Sequence, residues 1–207
     1  MKSRFRNIKY HEKLFHRYVK KQSARGRDIL TRAFLMAQTA HINQRRYEGD
    51  QYFIHPLRVA NSLIYEFKSK NCAMIAAALL HDVVEDTDIK LPTIEKEFDR
   101  EIARLVKNLT RPRHDNECEL SKKISKGRRY NFIMRADKKT RIVKCADMLD
   151  NMRCWCDLFL LFPKYNKITH WFGEANRYYL PLAQKTNRAI EIQMHLALDR
   201  AIHTLRP

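Results

Sequence analysis

Seven apolar residues, Met74 to Leu80, run directly into His81-Asp82-Val83-Val84-Glu85-Asp86. The stretch Cys72 to Val84 is apolar almost throughout, so it predicts a central helix buried on most sides. That helix would carry four ionisable groups at its end. In an uninterrupted helix His81 and Glu85 stand one turn apart on one face, as do Asp82 and Asp86. A solvated face seldom follows seven apolar residues so abruptly. The layout suits metal-dependent hydrolysis: imidazole and carboxylate to hold a divalent ion, further carboxylates to handle a water. Taken alone, it also fits a salt-bridged helix end.

The rest of the chain predicts an all-α fold. Only four glycines and six prolines punctuate 207 residues, which favours long helices over a many-stranded sheet. Apolar positions recur at helical spacing from Asp28 to His41, with Asp28 as the expected cap. Tyr47-Glu48-Gly49-Asp50 reads as a loop. Pro56 sits at a helix start, and the pattern continues to Phe67. Further helices are expected over Ile94 to Leu109, Arg128 to Ala136 and Thr140 to Trp155. Arg111 to Gly127 is polar, with Pro112 and Gly127 as breakers, and reads as a loop or flap. Phe162-Pro163 ends the element after Trp155. Ile168 to Leu205 reads as two helices joined near Pro181. No apolar stretch is long enough to span a membrane, and the N-terminus lacks a secretory apolar core.

The net charge is +18, which points either to a strongly anionic ligand, such as a polyphosphorylated nucleotide or nucleic acid, or to a generic basic surface. The charge is uneven. Residues 1–32 carry eleven Lys and Arg against Glu12 and Asp28, and a second basic run spans Lys122 to Lys144. Residues 1–25 form an amphipathic helix or an ordered arm. The five cysteines are odd in number and lack zinc-finger spacing, so they read as reduced thiols in a cytoplasmic protein.

Three separate segments fit one site: His55-Pro56 after the loop, His81-Asp82 on the buried helix, and Asp147 in Lys144-Cys145-Ala146-Asp147. Two imidazoles with two carboxylates suit Mn, Fe or Co better than Ca, which takes all-oxygen ligands, or structural Zn, which favours thiolates. Singly, each has a plainer reading; Asp147, for example, would serve equally as a buried partner of Lys144 or Arg141.

Between about Ala33 and Trp155 the sequence resembles the HD-domain hydrolases of the RelA/SpoT family, in particular the free-standing small alarmone hydrolases. The resemblance is carried by Ala40-His41-Ile42-Asn43-Gln44-Arg45-Arg46, by Tyr52-Phe53-Ile54-His55-Pro56, by Ala78-Leu79-Leu80-His81-Asp82-Val83-Val84-Glu85-Asp86-Thr87, and by Ala146-Asp147-Met148-Leu149-Asp150-Asn151-Met152-Arg153. It implies an HD-domain helical bundle with a single divalent metal site. His55, His81, Asp82 and Asp147 would bind one Mn ion. Glu85 and Asp86 would orient or deprotonate the attacking water, Arg46 would pack on the purine base, and Asn151 would contact the nucleotide near the ribose. Tyr47, next to Arg46, falls in the same pocket. Lys138, Lys139 and Arg141 are candidates to attract the polyanion.

The reaction implied removes the 3′-pyrophosphate of (p)ppGpp, giving GDP or GTP and pyrophosphate. The chain departs from the family at Tyr47, where Lys is common, at Asp150, where His is common, and at Cys154, where Thr or a similar residue is common. The segment between Thr110 and Asn131 also diverges. All touch or flank the nucleotide pocket rather than the metal set, which leaves the metal chemistry intact and keeps an adenine alarmone or the 2′-phosphate of NADPH open as substrate. A basic nucleic-acid-binding module with a vestigial HD site is the non-enzymatic alternative, and the arm also offers a weak nucleic-acid contact alongside an enzyme. The expected organisation is a basic arm or helix over 1–27, a hydrolase core over 28–160 and C-terminal helices over 161–207. The stretch beyond Arg153 is too short for a synthetase domain, so a free-standing hydrolase is expected. The oligomeric state is left open.

Overall fold

The computed structural model describes residues 4–111, 119–161 and 168–205. Its helices are α1 (Ile8–Val19), α2 (Ala24–Ala40), α3 (Ile54–Asn61), α4 (Cys72–Leu80), α5 (Val83–Asp86), α6 (Leu91–Glu97), α7 (Arg100–Leu109), α8 (Glu119–Arg135), α9 (Lys138–Leu161), α10 (Ile168–Glu174), α11 (Leu180–Thr186) and α12 (Arg188–Leu205). The described residues contain no strand, only an isolated antiparallel bridge between Arg45 and Gln51. The all-α expectation is met.

Two apolar cores organise these helices. The first surrounds α4, whose residues Ile75 to Leu80 are fully buried and which packs on α2, α3, α7 and α9. Its run of alanines lets neighbouring backbones approach closely, and the Asn71 side chain caps it by accepting from Met74 N at 2.8 Å. The second core joins Ile133 of α8 to α9, α11 and α12. Helix α9 runs between the two: Val143 and Ala146 face the first, Cys145, Leu149 and Met152 the second. No helix among the described residues is long and apolar enough to cross a membrane.

Several sequence expectations shift in register. The central helix ends at Leu80 rather than Val84. His81 Nδ1 lies 2.9 Å from Ala78 O, so the side chain takes up a backbone carbonyl at the helix end. Helix α2 starts at Ala24, capped by Ser23, while Asp28 lies inside it and pairs with Arg32 at 2.7 Å. The helix expected from Ile94 to Leu109 is two, because the backbone extends at Phe98 and Asp99, and Asp99 caps α7. The start of α8 at Glu119 turns the expected loop up to Gly127 into helix, and Gly127 lies within it. That helix is polar, so periodicity had little to detect; its contacts with α9 hold it. Residues 112–118, including Pro112, and the Phe162-Pro163 stop lie outside the described residues. The C-terminal join falls at Asn187 rather than Pro181, which sits at the start of α11 after a π-helical turn. Of the two forms left open for residues 1–25, the chain adopts a helix: α1 buries His11, Phe15 and Val19.

Candidate active site

His55, His81, Asp82 and Asp147 converge where α3, α4 and α9 meet. His55 Nε2 lies 3.2 Å from Asp147 Oδ1 and 3.7 Å from Asp82 Oδ2. His81 Nε2 lies 3.2 Å from Asp82 Oδ1 and 3.6 Å from Asp147 Oδ1. His81 and Asp82 keep helical backbone dihedrals through the turn between α4 and α5 (φ −61°, ψ −31° and φ −98°, ψ −10°), and their side chains close on one point, Nε2 to Oδ1 at 3.2 Å. Ligand atoms of His55, His81 and Asp82 all fall within 4.8 Å of one another, a grouping able to hold a metal ion.

The chemistry of these donors fits a divalent cation. Ala78 O only accepts, so His81 Nδ1 carries the proton and Nε2 presents its lone pair inward. That Nε2 is buried and has no hydrogen-bond partner. His55 Nδ1 likewise donates to the Asp150 carboxylate at 2.6 Å, leaving Nε2 free to face Asp147 and Asp82. Asp150 is itself gripped by Arg58 through two bonds of 2.8 and 2.9 Å. An imidazole oriented by a carboxylate is the usual support for a metal-ligating histidine.

The charges are strained toward the same end. Burial opposes the imidazolium of His81, yet the Asp82 and Asp147 carboxylates outweigh it and push it up to about 9, so a proton on Nε2 competes with a cation for the same lone pair. Burial would raise Asp147, but Lys144, at 2.7 Å, and the two histidines hold it well below the usual carboxylate range. Arg58 and His55 likewise hold Asp150 low against its burial.

Glu85 and Asp86 flank this cluster on α5 but do not stand alike. Glu85 Oε2 accepts from Arg111 N at 2.9 Å. Asp86 Oδ2 accepts from Tyr52 at 3.1 Å, and the same phenol donates to Asp82 at 2.7 Å. Gln44 donates to Asp86 O at 2.6 Å and so ties α5 to the loop after α2. Tyr52 is a link that sequence reading did not single out; its only signal was its place three residues before His55.

Two cavities open beside the cluster and share Asn151 and Tyr179. The larger, about 580 Å³, is lined by Arg46, Tyr47, Glu48, Tyr52, Trp155 and Trp171 among others. Arg46 arrives there on a tight loop: Arg46 N donates to Asp50 O at 2.9 Å and Gly49 N to Arg46 O at 2.9 Å, with Gly49 at φ 84°, where glycine is favoured. Arg46 Nη2 donates to Asn151 at 3.1 Å, and Asn151 donates to Asp147 Oδ1 at 2.9 Å, as the one-turn spacing on α9 requires. Tyr47 is 76% exposed at the rim. Glu48, read in the sequence only as part of a loop, buries its side chain beside Arg46 with Nε 3.5 Å away, and neither carboxylate oxygen has a hydrogen-bond partner.

The smaller cavity, about 230 Å³, reaches Asp147 and Glu85 and carries four cations: Arg111, Lys126, Arg129 and Lys144. The cations expected to attract the polyanion stand elsewhere. Lys138 and Arg141 line neither cavity. Lys138 is exposed at the start of α9, Lys139 pairs with Glu101, and Arg141 turns back to donate to Ala136 O at 2.5 Å. Which cations of a basic run face a cavity depends on how α8 and α9 pack, and composition does not report that.

Among curated proteins, the chain is 40% identical over 126 residues to a probable guanosine-3′,5′-bis(diphosphate) 3′-pyrophosphohydrolase of Synechocystis sp., covering 60% of this chain and 16% of that protein. It is 35% identical over 132 residues to a protein of the same description from Mycoplasma genitalium, covering 60% and 18%. A third relative, GTP pyrophosphokinase rsh of Brucella melitensis, is 36% identical over 126 residues, again covering 60% and 16%. The chain therefore spans less than a fifth of the length of each of these relatives. A solved structure described as a metazoan ortholog of SpoT that hydrolyzes ppGpp and plays a role in starvation responses shares the fold. Its TM-score is 0.72 at 24% identity, over 89% of this chain and 98% of the other. The HD domain family matches residues 33–186, well over half the chain, and this protein belongs to that family.

Proposed function

We propose that this protein is a Mn-dependent hydrolase that removes the 3′-pyrophosphate of (p)ppGpp, giving GDP or GTP and pyrophosphate. The carrying observation is the His55–His81–Asp82–Asp147 cluster, buried at all but Asp82, beside a cavity able to take a purine and with Asp147 reaching a smaller one lined by four cations. The relatives named for the same reaction support it. A divalent ion bound there supplies a Lewis acid for a water and for phosphoryl oxygens. The protein's own groups do the rest. Glu85 and Asp86 hold and accept the proton of the attacking water, with Tyr52 fixing the orientation of Asp86. Arg46 stacks on the base and Asn151, bonded to both Arg46 and Asp147, registers the ribose against the reacting phosphate. Arg111, Lys126, Arg129 and Lys144 offset the pyrophosphate charge. In this reading Lys138 and Arg141 act only at longer range.

Described cysteines 72, 145, 154 and 156 are all unbridged, which supports a cytoplasmic setting. Exposed Lys9, Lys13, Arg17, Lys20 and Lys21 offer a weak, salt-sensitive contact to nucleic acid in addition. The second reading keeps the site and changes the nucleotide to ppApp or NADPH; Tyr47 at the cavity rim favours it, because it replaces a cation by a neutral ring.

Product analysis by anion-exchange chromatography, with purified protein, Mn and each of ppGpp, ppApp and NADPH, decides between them. Release of GDP and pyrophosphate from ppGpp supports the first reading. Turnover of ppApp or NADPH alone moves the function to the second, and no turnover with metal bound leaves a nucleotide- or nucleic-acid-binding module.

A further inference from the structure

The first described turn, Arg4–Arg6, reaches across the fold to both ends of the site. Arg6 Nε donates to Asp50 Oδ2 at 2.6 Å and Nη2 donates to Glu48 O at 2.7 Å. These two acceptors bracket Gly49 on the loop that sets Arg46, and Asp50 O is the acceptor of Arg46 N. Asp50 is 8% exposed and Arg6 22%, so this is a seated pair rather than a solvated basic arm. One residue earlier, the ring of Phe5 lies 4.1 Å from Arg58 Cζ. Arg58 is the residue whose fork holds Asp150, which in turn orients His55. The turn is itself anchored, since His11 Nε2 bonds Phe5 O at 3.1 Å and His11 is buried against α3 through Asn61.

We infer that this turn is a positioning clasp with two separable arms: Arg6 holds the loop that presents Arg46 and Glu48 to the base, and Phe5 shields the Arg58–Asp150–His55 chain behind the metal cluster. The inference rests on the proposed nucleotide site for what the loop is held to do, but the contacts themselves do not. A planar, bidentate-capable guanidinium grips a carboxylate and a carbonyl together, which an ammonium does less well. A ring over Arg58 keeps water from competing for its bonds to Asp150.

The test compares Arg6→Ala, Arg6→Lys, Phe5→Ala and, as a control, Lys96→Ala, an exposed position on α6. Three readouts are taken: amide hydrogen exchange over Arg46–Asp50, calorimetric titration with Mn, and KM against kcat for ppGpp. Arg6→Ala is expected to speed exchange at the Arg46 and Gly49 amides and to raise KM about tenfold, the scale of one charge-assisted bond, with kcat and Mn affinity unchanged. Arg6→Lys restores part of both. Phe5→Ala is expected to weaken Mn binding several-fold and leave KM and loop exchange as they were; Lys96→Ala changes nothing. If Arg6→Ala and Phe5→Ala give one shared profile, or if both lower Tm while loop exchange and Mn affinity stay at wild type, the clasp is only structural and the inference fails. If wild-type protein turns over no ppGpp, the functional reading fails, while exchange and Mn titration still decide the clasp.

Discussion

Around His55 the ring nitrogen that faces away from the cluster is already bonded, Asp150 is held by three bonds, and the group is almost fully buried. Around Arg46 the opposite holds. Arg46 Nε and both Glu48 oxygens lack hydrogen-bond partners, and Tyr47 is turned to solvent above a cavity of about 580 Å³. The first region lies between helices of a packed core, the second on a loop closed by Gly49 and pinned from outside by Arg6. Chemistry that tolerates little displacement belongs on the first, and substrate identity, which shifts with a few contacts, belongs on the second. The departures at Tyr47 and Cys154 sit on the second; Asp150, expected at the nucleotide pocket and away from the metal set, instead bonds His55 on the first, where Arg58 compensates its charge.

The sharpest way to break this contrast is Asp82→Ala. It removes a carboxylate from the rigid end and is expected to lower turnover by about 10³-fold or more, several kcal/mol of lost metal stabilisation; turnover near wild type would unseat the cluster as the reacting centre. Asp150→Ala comes next. It strands Arg58 buried without its partner, with an expected cost of about 3–5 kcal/mol in urea unfolding and a metal affinity lower by roughly 10–100-fold. A variant as stable as wild type would show that the rigid end is not held together through Asp150. Glu85→Gln keeps an acceptor for Arg111 N but no base. It is expected to cut kcat by about 10²–10⁴-fold with metal still bound, and a loss of metal instead would make Glu85 a ligand.

At the open end, Arg46→Ala is expected to raise KM roughly tenfold with little change in kcat, the scale of one stacking contact. An effect confined to kcat would move Arg46 from base to phosphate. The smallest effect lies outside both regions. Bonds from Arg104 and Thr140 outweigh burial and hold Asp137, the cap of α9, down to about 2. A depressed carboxylate stabilises the fold above its unfolded value near 4 and loses that contribution as pH falls toward 2. Asp137→Asn is expected to flatten Tm between pH 4 and 2; an unchanged slope would show that the cap does not titrate with folding.

The same contrast separates what was legible in the sequence from what was not. The set His55, His81, Asp82 and Asp147 was legible because its order and flanking segments resemble the HD-domain pattern; only His81 and Asp82 stand at the end of a strongly apolar helix, and Asp147, inside α9, carries no such signal of its own. The helix end at Leu80 was not, since periodicity runs through a break that a side chain to Ala78 O creates. Asp28 was the cap expected by type, but α2 begins earlier, where the Ser23 hydroxyl accepts from Gly26 N at 3.2 Å and leaves Asp28 to pair with Arg32 inside the helix. The placement of Lys138 and Arg141 off both cavities has the same origin: in a chain this basic, cations are abundant, and only helix packing says that Lys126 and Arg129 of α8 turn inward.

The most direct test of the metal cluster is calorimetric titration of the metal-free protein with Mn. The arrangement of His55, His81, Asp82 and Asp147 predicts one ion per chain in the wild type and a large loss of affinity in Asp82→Ala. Absence of binding in the wild type, or equal binding in Asp82→Ala, would contradict it.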